Sequence, residues 1–523
     1  MPYEPVIGME VHAELKTKSK MFCDCENELG LEKEPNIHIC PVCTAQPGAL
    51  PVINKKAVEM VIKTGLSLNC KIADESFFER KNYFYPDLPK GYQTSQYQKP
   101  LCYEGFLDIS GAKIGITRIH LEEDTGKLTH PKGADYSLVD FNRAGVPLME
   151  LVTEPDIRSG EQAKKFCQEL QLIFRYLGVS DADMEKGQMR CEVNISLWEP
   201  ASGVFGTKVE IKNLNSFKVV EKAIDYEIKR QGELLGKGEK IIQETRGWDD
   251  NKGETYSQRI KEEAHDYRYF PEPDLPPLKQ LSIISEKLKS EMPELPQQKR
   301  LRFASEYSLP EADIEILVNS PELANYFEEV CSELIQTEYF SFCHSEGATR
   351  PLRQSDSEAR RISPRSFADA QDDKKDEELR KLYKLSANYL ITELPRIVNK
   401  LKAVDFQIKE KITAENFAEF AVMVYKNIVS SSGAQTVLEE MFKTGADPTH
   451  IIKSQDLAQV SDAGELDKIA DEVINDNLQP VADYKAGKEA SLQFLVGQMM
   501  KKSKGKANPQ VAADILRRKL TNS

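Results

Sequence analysis

Alternation of apolar and polar residues dominates the first half of the chain. In Gly8–Leu15, Glu10, His12 and Glu14 alternate with Met9, Val11, Ala13 and Leu15. Residues i and i+2 of a strand share a face, so this segment predicts a strand with one apolar and one charged side. The pattern recurs three times. Arg190, Glu192, Asn194 and Ser196 alternate with Cys191, Val193, Ile195 and Leu197. Lys208, Glu210 and Lys212 alternate with Val209 and Ile211, and Arg118, His120, Glu122 and Asp124 with Ile119, Leu121 and Glu123. Four such strands predict an antiparallel sheet with one face on a core. For any one strand, polar residues facing water are account enough. Carboxylate, imidazole or amide, and cation repeated over four strands point further, to a working surface.

The pattern changes after Phe270–Leu278 (FPEPDLPPL), with Pro293 and Pro296 following. Proline at this density interrupts regular structure and marks the end of a large domain. Beyond it, Glu377–Lys402 and the segments after Gln407 have apolar residues at helical spacing, and Asn508-Pro509 reads as a helix start. The predicted class is α+β, a large antiparallel-sheet domain at 1–292 followed by all-α domains at 293–406 and 407–523. The stretch from about 340 to 375 is rich in Ser, Arg and Asp and poor in large apolar residues, which predicts a disordered insertion. Its arginines also allow a less favoured reading as an RNA-contacting loop.

Length and charge narrow the function. A chain of 523 residues exceeds one core. No apolar run approaches the roughly 20 residues of a membrane span, and no export signal opens the sequence, so a cytoplasmic location is expected. Ten cysteines in that setting argue against a disulfide framework. The net charge of −14 argues against a whole-surface polyanion binder. Attraction to RNA must then be local, and Lys501, Lys502, Lys504 and Lys506 form the densest basic run.

Two chemistries suit these residues. Carboxylates offer Mg²⁺ hard oxygen ligands while Lys and Arg neutralise phosphates, the needs of phosphoryl transfer. ATP would bind outside the P-loop class, since Gly126-Lys127 is followed by Leu128. Separately, Cys23, Cys25, Cys40 and Cys43 form C-x-C followed by C-x-x-C, a pattern for a closed structural Zn²⁺ site. Free buried thiols, a Cys40–Cys43 redox pair and His38 as a substitute ligand stay open.

The strings IGMEVHAEL, KNYFYPDLPKGYQTSQ, HLEEDTGK, DFNRAGVPLMELVTEPDI, GQMRCEVNIS, GTKVEIKNLNSF, DYRYFPEPDLPP and FLVGQMMKKSKGKANP resemble, in this order, the B subunits of the bacterial glutamyl/aspartyl-tRNA amidotransferase. The resemblance runs from residue 5 to about 520, apart from the stretch around 340–375. It implies a cradle built on antiparallel sheet, a helical domain and a tRNA-contacting helical tail. It implies a heterotrimer with an amidase A subunit and a small C subunit. The A subunit would release ammonia from glutamine. The B subunit would use ATP to phosphorylate the Glu or Asp carried by a misacylated tRNA, then amidate it, as a carbon–nitrogen ligase. The catalytic positions implied are Glu10, His12, Glu122, Glu123, Glu150 and Glu192, the last replacing the family's usual Asp. Of these, Glu10, His12, Glu123 and Glu150 would hold Mg²⁺. Arg190, Asn194, Lys208 and Lys212 are the candidate ATP contacts on the charged strand faces, and Lys81 and Lys90 match tunnel positions. A tRNA-binding and assembly subunit without chemistry, and the archaeal-type E subunit with its extra domain, are the competing readings.

Overall fold

The computed structural model describes residues 3–27, 34–200, 203, 205–260, 267–345, 367–403, 407–458, 463–503 and 507–521. They form two compact units, divided between Pro296 and Gln297.

The first unit is built on a nine-stranded sheet. Its strands, in chain order, are β1 (Glu4–Glu14), β2 (Lys71–Ile72), β3 (Cys102–Ile109), β4 (Ala112–Glu123), β5 (Pro147–Thr153), β6 (Met189–Trp198), β7 (Val209–Leu214), β8 (Glu244–Asp249) and β9 (Glu254–Ile260). The spatial order is β9-β8-β7-β6-β1-β5-β4-β3-β2. All pairings are antiparallel except β7 with β8, so the α+β expectation holds with one parallel joint.

Alternation decides which side of this sheet is dry. Ile7, Met9, Val11 and Ala13 of β1 join Met149 and Leu151 of β5, Val193 and Ile195 of β6, and Ile119 and Leu121 of β4 in one buried cluster. Helices α1 (Lys55–Ser67), α2 (Gly160–Leu177) and α3 (Phe217–Gly236) supply the apolar stripes that pack on that side. Each helix starts on a side-chain cap: Asn54 accepts from Lys56 and Ala57, Ser159 from Gln162, and Ser216 from Val219. Gly178 ends α2 at φ 64°, a left-handed cap that costs glycine nothing. With three helices closing one face, the polar side chains of β1, β4, β5, β6 and β7 are left to the other.

The second unit is helical. Helices Pro321–Ser345 and Ala414–Tyr425 pack together, with Phe417 edge-on to Tyr326 and Phe420 edge-on to Tyr389. The boundary expected at 407 therefore falls inside a packed body, because the helix beyond it completes the aromatic core before it. A separate apolar cluster draws on Leu466, Val473, Leu495, Met499, Leu516 and their neighbours, so the last helices, from Ala463 on, have their own core. Residues 346–366, most of the expected insertion, lie outside the described residues. Among the described residues no helix is long and apolar enough to cross a membrane.

Candidate active site and metal sites

Register converts the four charged strand faces into rows across the sheet. His12 of β1 stands opposite Glu150 of β5 on one side and Arg190 of β6 on the other, and Glu150 stands opposite His120 of β4. The row reads Arg190–His12–Glu150–His120. The next row pairs Glu10 with Glu192, and Asn194 faces Glu210 of β7. Side chains from these rows, joined by Lys81, Arg118, Tyr267 and Tyr269, line an open cavity of about 700 Å³.

At its centre are two imidazoles and two carboxylates. His12 Nε2 is 3.4 Å from Glu150 and 3.7 Å from Glu122; His120 Nε2 is 3.3 Å from Glu150 and 3.8 Å from Glu122. Burial alone would depress the His12 pKa, but Glu150, Glu122 and Glu192 more than offset it and raise the imidazole to about 9. Burial pushes Glu150 up, and His120 and His12 win against it, holding the carboxyl well below its usual range. The potential at this point is strongly negative and favours a cation. One ligand atom each from His12, Glu122 and Glu150 lies within 4.8 Å of the others, as do those of Glu10, Glu192 and Glu210. Carboxylate oxygens are the donors that Mg²⁺ prefers, so the residues present fit a hard divalent cation; imidazole is the less usual partner.

Cations frame these carboxylates. Lys212 Nζ is 2.7 Å from Glu192 and 3.6 Å from Glu210, and Arg190 donates to Asp124 at 2.8 Å. Arg118 Nε and His120 Nδ1 are buried without a hydrogen-bond partner. Hydrogen-bonding capacity left over on two residues that line the cavity suits it to a polar ligand. Asn194 Nδ2 donates to Glu10 at 2.8 Å and helps fix that carboxylate.

The structure thus brings together Glu10, His12, Lys81, Glu122, Glu150, Arg190, Glu192 and Lys212. Asn194 and Lys208 line a smaller recess farther along the same face, reached from Glu10. Glu123 and Lys90 do not join them. They form an ion pair in a second cavity of about 230 Å³ that also contains Thr94, Phe22, Cys23 and Cys43. The physical reason is strand alternation, which turns Glu123 away from the side that Glu122 faces. Glu210 and His120 belong to the charged faces, but alternation alone does not single them out from their neighbours. Tyr267 and Tyr269 come from a distant segment, and nothing local in the sequence announces them.

The four cysteines converge. Cys43 Sγ lies 3.8 Å from Cys40 Sγ and 4.0 Å from Cys25 Sγ, and all four sulfurs can be placed within 4.8 Å of one another. Tetrahedral Zn–S bonds of about 2.3 Å put sulfurs roughly 3.8 Å apart, so the residues present fit zinc. These separations are far too long for a disulfide, and all four cysteines are free. Cys43 is lowered to about 5, chiefly by its hydrogen bond with Cys23; burial opposes this, and the Cys40 N–H and Lys20 assist it. His38 is not one of the converging ligands.

In the tail, Lys502 already pairs with Glu472 and Asp476, while Lys501 is exposed. Lys504 and Lys506 lie outside the described residues.

Residues 5–286 match the family model of the GatB/GatE catalytic domain, and residues 374–520 match that of the GatB domain. The chain belongs to the GatB family. It is similar over its length to proteins named as the B subunit of aspartyl/glutamyl-tRNA(Asn/Gln) amidotransferase. Identity is 47% over 99% of both chains for that of Caldicellulosiruptor saccharolyticus. It is 46% over the whole of both for that of Caldanaerobacter subterraneus, and 46% over 99% of both for that of Persephonella marina. The catalytic-domain match of this GatB-family chain takes in all nine strands of the sheet, β1 from its second residue, and with them both cavities and the cysteine cluster.

Proposed function

We propose that the chain is the carboxylate-activating subunit of a tRNA-dependent amidotransferase. It would convert Glu-tRNA(Gln) to Gln-tRNA(Gln) or Asp-tRNA(Asn) to Asn-tRNA(Asn), in a heterotrimer with an amidase A subunit and a small C subunit. The observation that carries this reading is the Arg190–His12–Glu150–His120 row beside Glu10, Glu192 and Glu210 on one open cavity.

The chemistry explains the residues. A carboxylate does not react with ammonia, because oxide is a poor leaving group. Attack of the tRNA-borne carboxylate oxygen on the γ-phosphorus of ATP expels ADP and forms an acyl phosphate. Ammonia then adds to the acyl carbon, phosphate leaves and a proton is lost, giving the amide. Mg²⁺ held by Glu10, His12, Glu122, Glu150, Glu192 and Glu210 would neutralise the ATP phosphates. Arg190, Lys212, Lys81 and Arg118 would meet the remaining phosphate charge. Asn194 would orient Glu10, and Lys208 would serve the outer end of the nucleotide. The Lys90–Glu123 cavity is suited to ammonia passage, and a protected route matters because water would destroy an acyl phosphate. Zinc on the four cysteines would be scaffolding, and the tail from Ala463 onward, including Lys501, would contact tRNA.

The test is tRNA-dependent ADP release by the reconstituted complex. His12→Ala should lower it by about 10²-fold or more while the amidase partner still binds. Near-wild-type amide formation by that variant overturns the proposal.

A further inference from the structure

Lys20 is 1% exposed, among the most deeply buried side chains of the molecule. A buried ammonium is strongly unfavourable unless a counter-charge accompanies it. Its Nζ donates to the carbonyl oxygens of His38 at 2.8 Å and Phe141 at 3.3 Å, and lies 3.9 Å from Cys43 Sγ. Among the described residues, no carboxylate forms an ion pair with it. Carbonyl oxygens orient an ammonium without neutralising it. The sulfur cluster is the neighbouring group able to do so, since four thiolates around Zn²⁺ form a net dianion.

We propose that Lys20 is the counterion of the four-cysteine metal site and sets its affinity for metal, an inference that rests on the metal reading of that cluster. The residue is fastened to the site at both ends. Its backbone N–H donates to Cys25 O at 2.9 Å, and its ammonium reaches the C-x-x-C turn at Cys43. The contact to Phe141 also ties the clip to the segment leading to Gly145, whose carbonyl accepts from Met21 N at 2.7 Å. Zinc and Lys20 therefore support each other. The metal would hold all four sulfurs as thiolates, and the ammonium offsets the excess negative charge left on them.

A lysine that merely bridged backbone carbonyls would be indifferent to metal, and this separates the two roles. Full-length wild-type, Lys20→Met and Lys20→Arg proteins are compared for zinc content, for zinc affinity by chelator competition, and for Tm with zinc loaded and stripped. The wild type should hold one zinc per chain. Lys20→Met should bind it about 10- to 100-fold more weakly, as loss of an outer-shell partner does, and Lys20→Arg less so. Lys20→Met should lower the Tm of the loaded protein more than that of the stripped one, whose sulfur cluster carries less negative charge for the ammonium to offset. Equal zinc affinity in wild type and Lys20→Met, or the same Tm shift loaded and stripped, overturns the proposal. If Lys20→Met does not fold, the cobalt-substituted Lys20→Gln protein decides, since it removes the charge and keeps a polar side chain. A thiolate charge-transfer band and an affinity both identical to wild type overturn the counterion role. A wild-type protein that takes up no zinc overturns the metal reading itself.

Discussion

Glu122 and Glu123 are adjacent in the chain and face different cavities. Glu122 accepts from Ser95 Oγ at 3.2 Å and lies against His12 and His120. Glu123 pairs with Lys90 and accepts from Thr94 N at 2.9 Å. On the neighbouring strand Tyr92–Ser95, Gln93 faces the larger cavity and Thr94 the smaller. A wall one strand thick separates the two.

The two glutamates should therefore fail differently. Glu122→Gln is expected to abolish amide formation whether nitrogen comes from glutamine or from added ammonium. Glu123→Gln should keep tRNA-dependent ATP cleavage within a few-fold and lose chiefly the glutamine-supported reaction. Parallel assays with the two nitrogen sources check this, and equal losses in both by Glu123→Gln would place it in the activation chemistry.

Glu210 should matter as much as Glu10. Each offers an oxygen to one three-carboxylate cluster, and Glu210 is held by Thr245 Oγ1 at 2.7 Å. Glu210→Gln and Glu10→Gln should each lower tRNA-dependent ADP release by about 10²-fold. Raised Mg²⁺ should recover part of the loss. Full activity of Glu210→Gln would remove it from the site.

The sheet was legible because β1, β4, β6 and β7 alternate strictly, whereas α1, α2 and α3, capped by Asn54, Ser159 and Ser216, lie between the alternating segments and were not read from the sequence. Strand alternation alone set Glu123 opposite Glu122, whereas the family resemblance grouped them. What the sequence hid is non-local. The row through His12 depends on β1 lying between β5 and β6, and no local pattern states that order. The boundary at 407 failed to appear because a loop between packed helices has the same composition as one between domains.

Where the tail is cut should decide the outcome. Removal of residues from 463 onward takes away helices with their own core, and should leave the rest folded while raising KM for misacylated tRNA. The salt dependence of tRNA affinity should flatten with it. Removal from 407 strips Phe417 and Phe420 from Tyr326 and Tyr389 and should unfold the helical body. Circular dichroism and tRNA titration of both truncations separate these effects. Unaltered tRNA affinity after the shorter cut would assign tRNA binding elsewhere.

Acid should loosen the far edge of the sheet through Glu227. Its fully buried carboxylate lies 2.8 Å from Arg230 and 3.1 Å from Arg246. Burial pushes its pKa up, but Arg230 and Thr255 prevail and hold it below the usual value. A depressed folded-state pKa stabilises above the unfolded value of about 4.3, and that stability is lost as pH falls through the folded value. Glu227→Gln should cost about 3 kcal/mol at neutral pH, by leaving buried guanidinium unpaired, and less in acid. Denaturant unfolding across that range measures both.

The charged face of the sheet also guards against misfolding. A one-residue slip of β1 against β5 or β6 would carry Glu10, His12 and Glu14 into the apolar cluster under α1, α2 and α3, and expel Met9, Val11 and Ala13. Sheets with a weakly polar outer face tolerate such slippage, and this one cannot. The side chains kept for chemistry thus make every odd-numbered slip of the central strands prohibitive, and substitutions that neutralise the site should yield more trapped, misaligned chains during refolding.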